Sequence, residues 1–180
     1  AVRELVASAR GLGISRILFP VGNDFMNSDN AAGTTTAGTA QAQSEDSRWK
    51  KSYMTACQLL TDTIEELAAE FKVDVVVVSG NHDAERCFYI GEHLRAWFRQ
   101  HPNVSIDNSP SQRKYYCFGE TLIGYTHGNE EKKTDLPLIM ANECKALWSR
   151  TRWREWHCGH LHTEITHEFG GVRVRFFPSL

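Results

Sequence analysis

The chain is short of several things that would have named a class of protein at once. Its five cysteines, Cys57, Cys87, Cys117, Cys144 and Cys158, are widely spaced and form no Cys-x-x-Cys pair. Neither a disulfide framework nor a structural zinc knuckle is indicated, and the thiols read as reduced and mostly buried. No apolar run approaches the roughly 20 residues that a membrane-spanning helix needs. The start, Ala1-Val2-Arg3-Glu4-Leu5, has neither the apolar core nor the cleavage site of a secretory signal. The expectation is a cytoplasmic protein with no membrane partner. Excess charge is missing too: 20 basic against 22 acidic residues leave a formal charge of -2, which gives no global attraction to nucleic acid or anionic lipid. There is no Gly-x-Ser-x-Gly elbow and no Walker-type glycine-rich loop, so serine-hydrolase and P-loop readings have no support.

What is present is an ordinary globular composition, 41% hydrophobic and 23% charged over 180 residues, enough for a single domain over 1–180 with a full core. Its organising stretch is Val75-Val76-Val77-Val78-Ser79-Gly80-Asn81-His82-Asp83. Four valines in a row have the propensity and apolarity of a strand covered on both faces. Ligands in open α/β sheets collect at the carboxyl ends of strands, where Asn81, His82 and Asp83 would lie. Taken alone, the corner reads equally well as a polar loop with a satisfied histidine.

Around it, Val2 to Ala9 has helical spacing, and Arg16 to Val21 reads as a buried strand running into Gly22-Asn23-Asp24. Two strands with the same ending suggest parallel neighbours that deliver Asp24 and Asn81 to one sheet edge. Residues 27–44 turn to Ala, Gly, Thr, Ser and Gln, which cannot bury enough apolar area to offset ordering; a flexible insertion loop is expected, either a substrate lid or an idle insertion. Glu45 to Phe71 is helical, with Trp49, Tyr53, Ala56, Leu60, Ile64, Leu67 and Phe71 facing the core, and Glu85 to Gln100 is helical through Phe88, Ile90, Leu94, Trp97 and Phe98. A short strand at 104–107, a hairpin over 113–125, a helix over 136–148, a strand ending at Cys158 and a hairpin over 165–177 complete the chain. No internal repeat is found.

Four strands thus end in glycine-and-polar corners, at Asp24, at Asn81 with His82, at His127, and at His160 with His162, in a chain with only eight histidines. In an extended segment the one-residue spacing of His160 and His162 would turn both rings to one side. Oxygens from Asp24 and Asn81 with imidazoles from His127, His160 and His162 form a mixed set suited to Mn, Fe or Zn. His93, His101, His157 and His167 follow no such corner and read as surface or packing residues.

With Gly80-Asn81-His82-Asp83, His127-Gly128 and Gly159-His160-Leu161-His162 in this order, the chain resembles the calcineurin-like metallophosphoesterases over most of its length. The resemblance implies an α/β fold of two facing β-sheets flanked by helices, with a two-metal centre at the strand ends and Mn first among the metals. It implies that Asn81, His127 and His160 hold one ion, that His162 belongs to the other and that Asp24 bridges them. By the same resemblance His82 contacts the phosphate and serves the leaving oxygen, with Asp83 accepting a hydrogen bond from its ring. Two departures stand out. Asn23 separates Gly22 from Asp24 where the family has Gly-Asp directly, and the family's opening Asp-x-His is not in the sequence. The expectation is therefore a piece of a longer chain, its N-terminal strand missing, with one metal site complete and the other reduced to Asp24 and His162.

The implied chemistry is phosphoester hydrolysis, by a phosphatase or a phosphodiesterase or nuclease, through a bridging hydroxide between two divalent ions about 3.5 to 4 Å apart. The alternative is a non-catalytic metal-binding scaffold or partner-binding fragment, against which stands the presence of His82 and Asp83. Arg150, Arg152, Trp153 and Arg154 interleave cations with an aromatic, a pattern suited to nucleic acid; the plainer explanation is a helix end with cations at its negative pole.

Overall fold

The computed structural model describes residues 2–36, 40–44 and 48–178. Parts of two expected elements, 37–39 of the polar stretch and 45–47 of the helix after it, lie outside the described residues. The elements run α1 (Val2–Ala9), β1 (Arg16–Gly22), α2 (Trp49–Ala68), β2 (Lys72–Val78), α3 (Ala84–Trp97), β3 (Val104–Asp107), β4 (Lys114–Phe118), β5 (Thr121–Thr126), α4 (Leu136–Glu143), α5 (Lys145–Arg150), β6 (Trp153–Cys158), β7 (Ile165–Phe169) and β8 (Val172–Phe176). They form a three-stranded sheet, β1-β2-β3, facing a five-stranded sheet, β4-β5-β6-β8-β7. The expected α/β sandwich of two sheets flanked by helices is what the chain adopts.

The valine run shows why. Side chains alternate across a strand, so Val73, Val75 and Val77 enter the core made with Ile64 of α2 and with Ile90 and Leu94 of α3. Val76 and Val78 point the other way, onto Tyr125 and Ile123 of the second sheet. From Val75 to Val78 both faces of β2 are dry, which explains the absence of a polar alternation there. The second sheet is covered on its far side by α4 and α5 around Trp156, whose indole Nε1 donates to the Leu136 carbonyl at 2.9 Å.

Three local expectations meet a different structure. The helix foreseen over 136–148 breaks at Cys144 (φ -116°, ψ 42°). The carboxylate of the preceding Glu143 is held by Arg113 and by the Tyr115 hydroxyl of β4, a tertiary anchor invisible to periodicity. Phe88 and Trp97 are 38% and 57% exposed rather than in the core, because α3 turns its Cys87, Ile90 and Leu94 face inward. Trp49 is half-buried outside the core, with the Arg86 guanidinium 5.1 Å from its ring centroid.

Among the described residues no helix is long and apolar enough to cross a membrane.

Candidate metal centre

Parallel register aligns the strand ends that carry the site. Gly22 pairs with Val78 across β1 and β2, and Thr126 pairs with Cys158 across β5 and β6. Because the two sheets meet through Val76, Val78 and Tyr125, all four corners open at the same end of the sandwich.

The donors converge tightly. His127 Nε2 lies 3.0 Å from Asp24 Oδ2, 2.8 Å from Asn81 Oδ1 and 3.2 Å from His160 Nδ1, and His160 Nδ1 lies 3.2 Å from Asn81 Oδ1. Asp24, His127 and His160 form a group whose donor atoms could share one ion. Donors held at right angles, each about 2.1 Å from a metal, sit about 3.0 Å apart, so the spacing fits a first-row divalent cation. The charges fit as well. His127 Nδ1 lies 2.6 Å from Asn23 Oδ1; with that bond made, the ring proton is on Nδ1, and Nε2 presents a lone pair to two oxygens and another imidazole nitrogen. When the His160 proton is also on its far nitrogen, Nε2, the four atoms are all acceptors, and a cation relieves their mutual repulsion.

Burial raises the Asp24 pKa, but a hydrogen bond from His127 when that ring is protonated, and one from the His82 backbone N–H, outweigh this and hold it below the ordinary value. His160 is shifted down by burial and then by the neighbouring His127. Both groups therefore favour the deprotonated forms that bind metal.

The backbone is unusual at these corners. Among the described non-glycine residues with positive φ, Asn23 (63°), Asp24 (68°), His160 (63°) and His162 (51°) belong to the site, and Ala40 is the other. Conformations of this kind cost free energy and persist where surrounding structure enforces them. For His160 and His162 they replace the extended segment expected from the spacing, so the two rings are not carried on one face of a strand. His162 is exposed and lies outside the tight cluster, on a cleft of about 790 Å³ that it shares with Asp24 and His160.

Close approach fixes two glycines. A Cβ at Gly80 would overlap the Asp24 carboxylate, and one at Gly159 would overlap the Asn23 amide. Asp24 Oδ1 accepts from the His82 backbone N–H at 2.8 Å, which directs Oδ2 at the cluster.

Asp83 does not perform its expected task. Its carboxylate is buried and accepts from the Gly80 and Met26 backbone N–H groups, at 3.0 Å each; burial pushes it up to about 6. The His82 ring is instead oriented by the Asn27 carbonyl, 3.1 Å from Nδ1. The reason is chain geometry: Asp83 sits at the start of α3 and turns inward to tie two loops together, whereas the preceding His82 stays half-buried.

Asn23, Asn27, Asp29 and Thr36 are site residues that sequence reasoning passed over. Asn23 entered only as an interruption between Gly22 and Asp24. The other three lie in the stretch read as a flexible insertion, where Ser28, Asp29 and Thr35 are in fact buried. Asp29 Oδ1 accepts from the backbone N–H groups of Glu85 and Arg86 and so caps α3 from a distant loop. Thr36 donates its hydroxyl to Asp29 Oδ2, accepts from Ala84 N–H, and donates its own N–H to the Asn81 carbonyl. No periodicity marks such residues.

The Arg150, Arg152, Trp153 and Arg154 stretch lies at the opposite end of β6 from His160, about 17 Å away at the rise of a strand. Arg154 stacks on Trp148 at 4.1 Å and donates to the Trp148 and Thr151 carbonyls, so its charge serves the fold.

No family model matches the chain, and no curated protein matches it. Among solved structures it is similar to a novel archaeal phosphodiesterase, with 18% identity over 72% of this chain and 76% of that one and a TM-score of 0.36. A likeness of that degree carries no weight here, and the functional reading stands on this chain's own side chains.

Proposed function

We propose that the chain is a metal-dependent phosphoester hydrolase whose metal ligands are Asp24, Asn81, His127 and His160, with His162 contributing to a second ion. The observation that carries this reading is the convergence of Asp24 Oδ2, Asn81 Oδ1, His127 Nε2 and His160 Nδ1 at the ends of four strands. The mixed oxygen and imidazole set suits Mn, with Fe and Zn as alternatives. Divalent ions bound there would polarise a phosphoryl oxygen and supply a hydroxide nucleophile at neutral pH.

The chain's own residues do the rest. Asn23 keeps the His127 proton on Nδ1, away from the ligand face. The main chain of His82 is fixed on Asp24, and its Nδ1 is committed to the Asn27 carbonyl. That leaves Nε2 as the atom that carries a proton towards the leaving oxygen, the general-acid role. Asp83 supports the corner from behind by binding the Gly80 and Met26 N–H groups.

Loading with Mn²⁺, exhaustive dialysis and a count of retained ions test the centre, and hydrolysis of bis(4-nitrophenyl) phosphate tests the chemistry. His82→Ala is expected to lower turnover about 100-fold or more with metal content unchanged. Loss of metal in that variant would remove His82 from its assigned role. A non-catalytic scaffold is favoured by one observation, the exposure of His162 outside the cluster; it requires retained metal with no hydrolysis of any ester.

A further inference from the structure

Beside the cluster lies a second cleft, of about 590 Å³, whose wall includes Asn81, His127 and His160 themselves. Its volume is in the range of small-ligand sites. A phosphate held at the cluster has two clefts for its ester groups, the one of about 790 Å³ lined by Asp24, His160 and His162 and this one, and the lining of each selects what enters it.

Two features of the lining are informative. The first is charge. Among the described residues no lysine or arginine lines the cleft, whereas Glu130 and Glu131 both do. The cations that flank the lining point elsewhere: Lys132 and Lys133 follow Glu131 but are not part of the lining, with Lys133 Nζ 3.0 Å from His167 Nε2; Arg113 pairs with Glu131 and Glu143; and the buried Lys114 donates to the carbonyl and hydroxyl of Ser109 and lies 3.8 Å from Asp107. Glu131 thus shares one cation with Glu143, which leaves that group net negative. Glu130 is exposed at the mouth and accepts from the Gln112 amide at 3.3 Å, a neutral partner that leaves its charge in place.

The second feature is Phe88. It is 38% exposed and lines the cleft together with Ser109, Gln112 and, from another loop, Asn129, on a wall with several hydroxyl and carboxamide groups. A partly exposed aromatic ring among groups able both to donate and to accept hydrogen bonds suits a flat polar ring. It does not suit a phosphate, which needs cationic donors.

We infer that this cleft takes one neutral, nucleoside-sized ring substituent of a phosphodiester, stacked on Phe88, and disfavours a further phosphate beyond that ring. The inference rests on the phosphoester-hydrolase reading for the placement of the phosphate, and it narrows that reading to diesters ending in a single nucleoside-like group. A polynucleotide threading through the cleft would bring its next phosphate against Glu130.

The test compares two chromogenic esters that differ in one group, thymidine 5′-(4-nitrophenyl phosphate) and the same compound carrying a 3′-phosphate. Dissociation constants are measured by calorimetry on the full chain loaded with Mn²⁺, and turnover is followed separately. The unphosphorylated ester is expected to bind about tenfold more tightly. Glu130→Gln should reduce that preference, and Phe88→Ala should weaken binding of the unphosphorylated ester about tenfold with retained metal unchanged. Equal or tighter binding of the 3′-phosphorylated ester would overturn the inference, as would loss of neither preference nor affinity in the two variants. If both esters bind in the expected order but neither is cleaved, the cleft assignment stands and the hydrolase reading falls.

Discussion

His127 Nδ1 lies 2.6 Å from Asn23 Oδ1, while Nε2 of the same ring faces Asp24, Asn81 and His160. A residue that interrupts an expected Gly-Asp pair therefore has a task of its own. Because Asn23 has φ 63°, replacement by glycine removes the amide without adding backbone strain. Asn23→Gly is expected to weaken Mn²⁺ binding about 10-fold to 100-fold, the usual effect of losing a partner behind a metal-ligating histidine. Electron paramagnetic resonance of free Mn²⁺ during titration measures it, and unchanged affinity would release Asn23 from this role.

Gly80 is the point where β2's corner and Asp24 touch. Gly80→Ala places a methyl group on the Asp24 carboxylate, so either the ligand or the corner must shift. The expected cost is about 1–3 kcal/mol of stability, read by urea denaturation, together with reduced metal retention. A variant with wild-type stability and metal content would show that Asp24 can move freely.

Thr36 joins three partners, Asp29, the Ala84 N–H and the Asn81 carbonyl. Its hydroxyl both donates and accepts, and valine matches its shape without that capacity. Thr36→Val is expected to lose about 1–3 kcal/mol because the buried Asp29 and the first turn of α3 lose a bond, whereas Thr36→Ser stays close to wild type. Urea denaturation of the two variants side by side checks the contrast; equal losses would assign the effect to the methyl group instead.

Asp74 ties the sheets together. It accepts from Ser105 of β3 at 2.6 Å, from the Tyr116 hydroxyl of β4 at 2.5 Å, and from Arg16 of β1 at 3.0 Å. Burial alone raises its pKa, but the Ser105 and Tyr116 hydrogen bonds and the Arg16 charge outweigh burial and hold it below the ordinary value. A carboxyl depressed in the folded state stabilises the fold above its unfolded pKa, near 3.9, and loses that contribution as pH falls through the folded value. The difference in Tm between wild type and Asp74→Asn should be constant above about pH 5 and shrink below about pH 4. A difference that does not change with pH would remove the charge from the explanation.

Several parts of this architecture are legible in the sequence because they depend on local pattern. The valine run declares a strand with two dry faces, and the strand–glycine–polar corners declare the end of the sheet where Asp24, Asn81, His127 and His160 gather. Parallel pairing of β1 with β2 follows from their shared ending, since neighbours in register deliver like positions to one edge.

Other parts depend on partners far away in the chain, which no pattern within a window of residues records. Asp83 carries its charge inward to Gly80 and Met26 rather than to the adjacent His82. Asp29 and Thr36, in a stretch whose composition predicts only a flexible loop, fasten the start of α3 and the Asn81 carbonyl. His160 and His162 sit in left-handed turns instead of along a strand. The physical reason is the same in each case. Apolar periodicity is selected by burial along one element and can be read from that element alone, whereas a buried polar group must find a partner wherever packing puts one. The sequence's own patterns determined the buried strands, the helices and the end of the sheet at which the polar corners sit, with the two facing sheets implied by the family resemblance; only the tertiary structure decided which polar atom faces which.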